Sequence, residues 1–515
     1  MGKTCRQVFS KFVFVLVLAL LFTVPTVTQI SAEKGDNKVS ATVNGGYVDD
    51  YESVTAALTA LSGQYTTTDS YLFELNANVT EELSFTDYDS ITIDLMGKDY
   101  EIEGALNIDN SSVTIKDSIK SNSKLIVSLT DDSAVFNGSK LNILTSSVSF
   151  EDGGLSSVYF GILENSVVSV SGSFVMDLEA IDIYDGGKLL IGKDLKVQRT
   201  SGLDSVVYVL ETGSSLEIGG VVTAVTATRF SIASRANFTA TDVNGMVEIY
   251  CYDAAVILVK GNITSTMIYT IVYAETEALV TVKGNIVAME LETDYGDSFY
   301  PSVIGANSSK VVVEGSITTN GIGISQINGA IVDVLGKVNA GTIAVVSMKI
   351  KDSSSPSLEP LGVRKYNADA SFTKLNYSGN PVVIGKTSSL PIDFHPDSSI
   401  TTIEGDVTSA KLAEMFRYGA VVINGKVTTN NDINFITFHD YEDITQVTQK
   451  RSQGVLTGNY FVYSDSAIFE ESYVLIKNAS RDIPTGINSD VILWAGLGAT
   501  AAILFALTDK RKKYS

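Results

Sequence analysis

The sequence predicts an all-β fold in which short parallel strands stack into a solenoid, a parallel β-helix, and three observations support that prediction. A seven-residue pattern (apolar, any, apolar, any, Gly, any, apolar) returns along residues 168–427. Several intervals between its glycines are 20–23 residues long, and others are close to two or three such intervals. Only eight of the 515 residues are proline, so little would interrupt a ladder of stacked strands. A strand-based repeat at this interval is typical of a solenoid.

The copies of the pattern define the coils. Clear copies span residues 168–174, 216–222, 257–263, 280–286, 311–317, 332–338 and 421–427, a weaker copy surrounds Gly405, and degenerate copies lie at 189–195 and 238–244. In each copy the alternating apolar side chains would face inward, and we expect the glycine to supply the positive φ of a corner. A large antiparallel β-sandwich array also alternates and turns at glycines, but it would not readily repeat one motif at this interval.

Residues 1–32 have the pattern of a secretory signal peptide. Three basic residues precede an apolar run, residues 12–24, and Ser31 and Ala32 offer small residues for cleavage. The rest of the chain would then be exported. An uncleaved signal anchor is the alternative.

Residues 33–75 are predicted to cap the N-terminal end of the solenoid. An open solenoid end exposes core side chains and unpaired strand edges, so a helix lying across it is a natural cap. The apolar spacing i, i+3, i+4, i+7 predicts such an amphipathic helix, and Asp50 lies just ahead as its N-cap. The apolar residues at this spacing are Val54, Ala57, Leu58 and Leu61.

The glycine pattern also sets the limits of the next two regions. The parallel β-helix is predicted over residues 76–430. Within it, residues 349–379 alternate weakly and are interpreted as an insertion looped out of the stack, and residues 410–417 predict a short helix. Residues 431–481 lose the glycine motif but keep apolar stretches, so they are predicted to form a C-terminal cap and a stalk.

Residues 482–515 predict an anchor. The apolar run at residues 491–507 predicts a transmembrane helix, and the basic cluster beyond it would keep the last residues on the cytoplasmic side. A buried C-terminal core helix is the alternative. A short motif precedes the run and consists of Ile483, Pro484, Thr485 and Gly486.

Three segments near the N-terminus resemble a known group of proteins. They are Asn-Gly-Gly-Tyr at 44–47, Ile-Thr-Ile-Asp-Leu-Met-Gly-Lys at 91–98 and Ser-Val-Thr-Ile-Lys-Asp-Ser at 112–118. These segments resemble the pectin-lyase-like β-helix surface proteins of Gram-positive bacteria, although Met96 stands where asparagine is usual. The resemblance implies a right-handed parallel β-helix on a bacterial surface. It does not imply catalysis.

The tail is similar to a cell-wall sorting signal. In such a signal a sortase recognises Leu-Pro-x-Thr-Gly, cleaves between Thr and Gly, and joins the threonine carbonyl to peptidoglycan. The motif at residues 483–486 is one residue short and has isoleucine in place of leucine. The resemblance implies attachment of Thr485 to peptidoglycan, and retention as a single-pass membrane anchor is the alternative.

Composition limits the partners of the chain. It has 37 basic and 59 acidic residues, a formal net charge of −22. Such a surface repels nucleic acid, anionic polysaccharide and anionic lipid, so no nucleic-acid partner is expected. After removal of the leader Cys251 is the only cysteine, so we expect no intrachain disulfide.

Signals for catalysis are weak, so an enzymatic activity is uncertain and we lean against one. The two histidines, His395 and His439, lie in unrelated settings, and no second ligand cluster accompanies either. Glycosidases need two carboxylates on one face. No cofactor is expected, and calcium binding at acidic turns is the alternative. The candidate carboxylate pairs are Asp49 with Asp50, Asp131 with Asp132, and Asp182 with Asp185.

Tyrosines on neighbouring predicted coils form a candidate glycan-binding strip. Neutral sugars stack on aromatic rings. The full chain has 23 tyrosines, and its single tryptophan, Trp494, lies in the predicted anchor. The candidates are Tyr250 with Tyr252, Tyr269 with Tyr273, and Tyr295 with Tyr300. The first two pairs have even spacing, so the members of each could share one strand face, whereas the third pair has odd spacing. Ordinary β-structure tyrosines are the alternative interpretation.

We therefore predict a cell-surface protein with an extracellular ectodomain that acts as an adhesin or a structural spacer. Its predicted partners are the cell membrane, peptidoglycan, and a glycan or protein ligand from a host or the environment. The alternative function is a surface protein that binds carbohydrate or degrades polysaccharide.

Overall fold

The computed structural model describes residues 37–119, 123–129, 134–152, 159–199, 204–291, 302–348, 365–366, 372–375, 381–384, 390–392, 394, 398–415, 418–429, 433–439, 443–449, 454–464 and 472–478. From Lys38 onward these residues belong to one compact unit. Nearly all of them lie in short strands joined by turns, and the described part of the chain contains a single short helix.

The strands and the helix have the following bounds in chain order. They are β1 Val39–Val43, β2 Gly46–Tyr51, α1 Val54–Leu61, β3 Ser70–Leu75, β4 Val79–Thr86, β5 Ser90–Asp94, β6 Tyr100–Asp109, β7 Ser112–Lys116, β8 Leu125–Leu129, β9 Ala134–Asn137, β10 Lys140–Leu144, β11 Ser147–Asp152, β12 Tyr159–Leu163, β13 Val167–Val170, β14 Ser173–Asp177, β15 Ala180–Ile183, β16 Lys188–Ile191, β17 Leu195–Val197, β18 Ser205–Val209, β19 Ser215–Ile218, β20 Val221–Ile232, β21 Asn237–Ala240, β22 Asp242–Cys251, β23 Val256–Val259, β24 Ile263–Ser265, β25 Val272–Glu275, β26 Leu279–Val282, β27 Ile286–Ala288, β28 Ser302–Asn307, β29 Lys310–Val313, β30 Ile317–Thr319, β31 Ile322–Ile327, β32 Ile331–Val334, β33 Val338–Met348, β34 Lys365–Tyr366, β35 Phe372–Leu375, β36 Pro381–Ile384, β37 Ser399–Ile403, β38 Val407–Met415, β39 Gly419–Ile423, β40 Val427–Thr429, β41 Ile433–His439, β42 Asp443–Gln449, β43 Val455–Thr457, β44 Tyr460–Ser464 and β45 Tyr473–Lys477.

Three ladders of parallel strands run side by side along the solenoid. Ladder 1 consists of β3, β5, β7, β10, β13, β16, β19, β21, β23, β26, β29, β32, β37, β39 and β45. Ladder 2 consists of β8, β11, β14, β17, β24, β27, β30 and β40 with the first parts of β4, β6, β20, β22, β33 and β38. Ladder 3 consists of β9, β12, β15, β18, β25, β28, β31 and β41 with the second parts of the same six long strands. Each coil passes through the three ladders in turn, so the predicted all-β solenoid, of right-handed type, is confirmed.

The repeated motif occupies the same place in each coil that carries it. Its first two apolar residues lie in ladder 1 and its last lies in ladder 2, as Val280, Val282 and Ile286 show in strands β26 and β27. In the degenerate copy at residues 238–244 the ladder 2 residue is Val243 rather than Asn244, because that corner is one residue shorter. The last apolar residues pair in register from coil to coil as Leu195, Val222, Val243, Ile263, Ile286, Ile317, Val338, Val407 and Val427.

The motif glycines are needed for a reason other than the predicted one. Gly284, Gly315 and Gly336 do not have the positive φ that we expected of them. Instead, the N–H of Gly315 donates to the carbonyl of Gly284 at 3.1 Å, and that of Gly336 donates to Gly315 at 3.0 Å. A Cβ atom on Gly336 would lie 2.4 Å from the carbonyl oxygen of Gly315. The corners of successive coils therefore stack too closely for any side chain.

One continuous hydrophobic core fills the space between the three ladders. It extends from Val39 to Ile476 and is built from the inward-facing residues of successive strands. Aromatic rings stack along it, since the ring centroids of Phe150 on β11 and Phe174 on β14 are 5.0 Å apart and nearly parallel. Because each coil buries its apolar side chains against the next, the core stabilises the stack as a whole.

Part of the chain between β33 and β37 lies outside the ladders. Strand β32 pairs directly with β37, while β34, β35 and β36 form a separate antiparallel sheet. The prediction of a short helix at residues 410–417 is wrong, because strand β38 extends to Met415 in ladder 3. Leu412, Ala413 and Met415 are buried there, and the packing of these side chains overrides helix propensity.

The N-terminal end of the solenoid corrects the predicted capping helix. Strand β1 pairs antiparallel with β3 and takes β2 on its other side, so a hairpin covers the exposed edge of ladder 1. Helix α1 has only eight residues, and its N-cap is Ser53 rather than Asp50. Its first N–H groups, of Val54 and Thr55, donate to the Glu81 carboxylate on β4 at 3.0 and 2.8 Å. Backbone groups of the edge strand need hydrogen-bond partners, and only another strand can supply them in register.

The predicted C-terminal transmembrane helix is also corrected. In the part of the chain that the structure describes, no helix is long and apolar enough to cross a membrane. Residues 491–507 lie outside that part, as do the leader at residues 1–32 and the motif at residues 483–486. The fold class is accordingly an all-β solenoid with one short helix among the described residues.

The glycine stacking predicts a position-specific cost of adding one methyl group. Gly336→Ala should lower the free energy of unfolding by about 1–3 kcal/mol, because its Cβ would force neighbouring coils apart. Urea unfolding, followed by circular dichroism of the full-length chain, measures the change.

Gly63→Ala is the matched control, because a Cβ atom at Gly63 would meet nothing within 4 Å. Equal stability of the two variants would contradict the stacking argument.

Candidate functional site

A cluster of aromatic and charged side chains lies on the outer side of ladder 3. Strands β18, β20, β22 and β25 place Tyr208, Ser231, Tyr250 and Tyr273 in one column, because each pairs in register with the next. Side chains alternate along a strand, so these four point away from the core while their neighbours point into it. A single column of three tyrosines and one serine thus crosses four consecutive coils.

Tyr250 and Tyr273 form the centre of this column. Their ring centroids are 5.6 Å apart and their planes are inclined by 45°. The next residue in the column is Gly305, and a Cβ atom there would lie 2.9 Å from Cδ2 of Tyr273. Burial raises the pKa of Tyr273 to about 12, with Glu275 adding to the effect. Gly305 therefore leaves room for the Tyr273 ring to lie against the ladder.

A charged pair borders the two rings. Arg229 and Glu248 are neighbours in the adjacent column, and Nε of Arg229 donates to Oε2 of Glu248 at 3.1 Å. The guanidinium carbon of Arg229 also lies 4.7 Å from the centroid of the Tyr250 ring, a cation–π geometry. We call Tyr208, Arg229, Glu248, Tyr250 and Tyr273 the tyrosine patch.

Burial and ion pairing act in opposite directions on the two charges. Burial raises the pKa of Glu248, and the hydrogen bond and charge of Arg229 partly offset that effect. Burial lowers the pKa of Arg229, but the contacts with Glu248 outweigh it and raise the pKa overall. The ion pair holds the guanidinium against the Tyr250 ring.

An exposed apolar stripe follows the corner between ladders 2 and 3 in the same coils. Ala224, Gly245, Ser265 and Ala288 pair in register at the end of ladder 2. The residue after each of them is exposed, and three of the four are apolar; these residues are Val225, Met246, Thr266 and Met289. We call these four the corner stripe.

Further exposed apolar side chains adjoin the corner stripe. Val225 and Met289 are each 54 % exposed and Met246 is 38 % exposed. In the coil where threonine occupies the stripe position, Ile268 and Tyr269 are exposed just beyond it. The corner stripe and the tyrosine patch share the three coils of β20, β22 and β25, and together they span five successive coils.

The predicted tyrosine strip is only partly brought together. Tyr250 and Tyr273 are neighbours, and Tyr252 reaches the same column through a contact of 3.0 Å between its hydroxyl and that of Ser231. Tyr269 precedes strand β25, so it does not share a strand face with Tyr273 as we expected. Tyr295 and Tyr300 lie outside the described residues.

The predicted carboxylate pairs have different settings. Asp182 lies on the outer face of β15, in register with Tyr208, whereas Asp185 is exposed in the turn that follows. Asp50 of the first pair accepts a hydrogen bond from Ser40 at 2.7 Å and is part of the N-terminal hairpin. Asp131 and Asp132 lie outside the described residues.

Metal-ligand candidates are not assembled in the described part of the chain, where no group of three or more His, Cys, Asp or Glu side chains could hold an ion. His395 and the side chain of His439 lie outside that part. Cys251 is buried, its thiol lies 3.4 Å from the Ala255 carbonyl, and burial raises its pKa. A thiol in this setting is a core side chain.

Several residues of this surface were missed from the sequence. Arg229 and Glu248 are 19 positions apart in the chain, and Tyr208 is 42 positions from Tyr250, so only the coil register brings them together. A signal for the corner stripe was present, since Val225, Thr266 and Met289 each follow the last apolar residue of a motif copy by three positions. Extending the motif by three residues would have found them.

Asp182 predicts a stability that depends on pH. Burial raises the pKa of Asp182 from 3.8 to about 6, and its Oδ1 atom is buried with no hydrogen-bond partner in the structure. Because the pKa is higher in the folded protein, protonation of Asp182 stabilises the fold. This stabilisation is complete below pH 3.8 and is lost as pH rises through about 6. Asp182→Asn should therefore raise the free energy of unfolding at pH 7 by roughly 1–2 kcal/mol and have little effect at pH 4.

Urea unfolding of both proteins across this pH range measures the difference. Asp185→Asn is the control because Asp185 is exposed and has a φ of 52°, which asparagine also adopts. A loss of stability in Asp182→Asn at pH 7 would show that the carboxylate is held by a favourable contact instead.

Comparison with known proteins identified no relative of this chain. No protein-family model matches the chain, and neither a curated protein nor a solved structure matches it. The resemblance found in the sequence is therefore supported as far as the β-solenoid fold and no further.

Proposed function

We propose that this chain is a cell-surface adhesin in which the solenoid presents a ligand contact formed by the tyrosine patch and the corner stripe. One observation carries the proposal. Six of the eleven large hydrophobic side chains that are exposed in the described residues lie between positions 208 and 289. A contiguous exposed apolar surface of this kind marks an interaction site more often than scattered single residues do.

The composition of the surface supports a binding role. Tyrosine, methionine and arginine are enriched at protein interfaces, while lysine and glutamate are depleted from their centres. The surface has Tyr208, Tyr250 and Tyr273 beside Arg229, and the one carboxylate of the patch is neutralised by Arg229. Rigid aromatic rings fixed by their neighbours lose little conformational entropy on binding.

The surface location in this proposal is supported by sequence features alone. Residues 1–32 have the pattern of an export signal, and the N-terminal segments resemble Gram-positive β-helix surface proteins. The sorting-signal-like residues 483–486 support attachment to peptidoglycan as part of the same proposal. A solenoid suits this role because stacked coils display loops and side chains along their length.

Binding of neutral carbohydrate is the second candidate function. It is supported by the two rings of Tyr250 and Tyr273, which lie side by side on successive coils. Polysaccharide cleavage has less support, because Asp182 and Asp185 lie in different settings, one on a strand face and one in an exposed turn. A binding role accounts for the exposed corner stripe, which a hydrolytic site does not require.

Adhesion can be measured with beads that carry the full-length chain. We expect the beads to adhere to cells of at least one type in a panel of bacterial and animal cells. The triple variant Tyr208→Ser, Met246→Ser, Met289→Ser should reduce adhesion by about tenfold or more, because it removes three exposed contact side chains.

The matched control is the triple variant Ile119→Ser, Leu144→Ser, Val455→Ser, which removes exposed apolar side chains elsewhere. Loss of adhesion after periodate treatment of the cells would favour the carbohydrate candidate, and loss after protease treatment would favour a protein ligand. Beads that adhere to no cell type would leave a structural spacer and end the adhesin proposal.

A further inference from the structure

The corner stripe is a bounded feature with a fixed repeat. It covers four consecutive coils, and the equivalent positions in the coils before and after it are the polar residues Gln198 and Asn320. Parallel strands stack about 4.8 Å apart, so the four positions span about 14 Å along the solenoid. A ligand that fills the stripe must offer one apolar group per coil at this spacing.

An α-helix meets this requirement better than an extended strand. One face of a helix presents a side chain every turn, about 5.4 Å, so four successive side chains on that face span three turns, about 16 Å. Alternate residues of a strand are about 6.6 Å apart, so four of them span about 20 Å. The mismatch with the stripe is about 2 Å for a helix and about 6 Å for a strand.

The residues of the stripe tolerate the smaller mismatch. Met246 and Met289 have three rotatable bonds and a polarisable thioether, which allow methionine to adapt to an irregular partner. On one side the stripe adjoins uncharged ladder 2 residues, Thr223, Asn244 and Thr264, and on the other it adjoins the tyrosine patch. An apolar helix face would therefore meet no unpaired charge at the centre of the contact.

The charge of these coils indicates the charge expected on the remaining surface of the ligand. Residues 204–290 contain nine acidic and four basic residues, and the exposed Glu290 follows Met289 directly. A basic partner is attracted by this field. A second copy of this chain, with its net charge of −22, is repelled by it, and so is an anionic membrane.

We propose that the ligand contact of the adhesin is an amphipathic α-helix of a partner protein, laid along the solenoid axis over the corner stripe. Its apolar residues recur at i, i+4, i+7 and i+11, and its remaining surface is basic. This inference rests on the proposed function, because it names the partner for the same surface.

A synthetic peptide of about 18 residues, long enough to form a helix on binding, serves as the probe. It has leucine at i, i+4, i+7 and i+11 and lysine and alanine elsewhere. A second peptide of the same composition has its leucines at alternate positions. Fluorescence anisotropy at physiological salt measures the affinity of each peptide for the full-length chain, and circular dichroism measures helix induced on binding.

We expect the helical-pattern peptide to bind, to gain helix, and to lose about tenfold or more in affinity with Met246→Ser, Met289→Ser. The control pair Ile119→Ser, Leu144→Ser should bind it as the unmodified chain does. Equal affinity for both peptides, or no effect of the stripe variant, would show attraction by charge alone and overturn the inference. Binding of neutral oligosaccharides at the surface without binding of the peptide would also overturn it, in favour of a glycan ligand.

The two proposals fail separately. If the beads adhere through the stripe but neither peptide binds, the helix inference fails and the adhesin proposal stands. If the beads adhere to no cell, the adhesin proposal fails whatever the peptide result.

Discussion

The close stacking of backbone at the glycine corners is the constraint on which this solenoid depends. From Gly284 to Gly405 each motif glycine donates its N–H to the glycine of the preceding coil, as Gly336 does to Gly315 at 3.0 Å, whereas Gly220 and Gly261 donate to Lys193 and Thr241. These contacts leave no space for a Cβ atom on Gly284, Gly315 or Gly336, so the corner is tight there. The parallel pairing of strands on either side of the corner then holds each strand position over its equivalent in the preceding coil. The core columns, the polar columns and the candidate site all have the spacing of these stacked coils.

The outward-facing columns of side chains differ in whether they stabilise the stack. Beside the glycines, the side chain of Asn262 accepts from the N–H of Asn285, and the side chain of Asn285 accepts from the N–H of Ser316, both at 2.8 Å. Such a column satisfies backbone donors and stabilises the stack. The corner stripe instead leaves Met246 and Met289 exposed, which adds nothing to the stability of the fold. A repeat that can place polar groups on its surface, yet exposes apolar side chains at three of four successive stripe positions, is most simply explained by a ligand.

Buried charge in the same region shows two different solutions. Glu248 is buried with Arg229 as its partner, and the pair also holds the Tyr250 ring. Asp182 is largely buried and Oδ1 has no hydrogen-bond partner, so burial raises its pKa to about 6. Ionising Asp182 at neutral pH costs stability, whereas the hydrogen bond and charge of Arg229 offset part of the desolvation of Glu248. The first arrangement organises the candidate site, and the second lies at its edge, in register with Tyr208.

The sequence by itself determined the all-β class, the coil repeat and the inward-facing residues, because alternation and glycine spacing are local properties of the chain. It did not determine the end structures, since the edge of ladder 1 needs backbone partners that the hairpin β1–β2 supplies and helix α1 does not. It also misjudged residues 410–417, where pairing with β33 decides between helix and strand. Tyr250 and Tyr273 are 23 positions apart in the chain and become neighbours only through register, as do Arg229 and Glu248. Only the tertiary structure could decide these contacts, because corners differ in length by a residue while the strands stay paired, so sequence spacing alone does not say which side chains of successive coils lie in register.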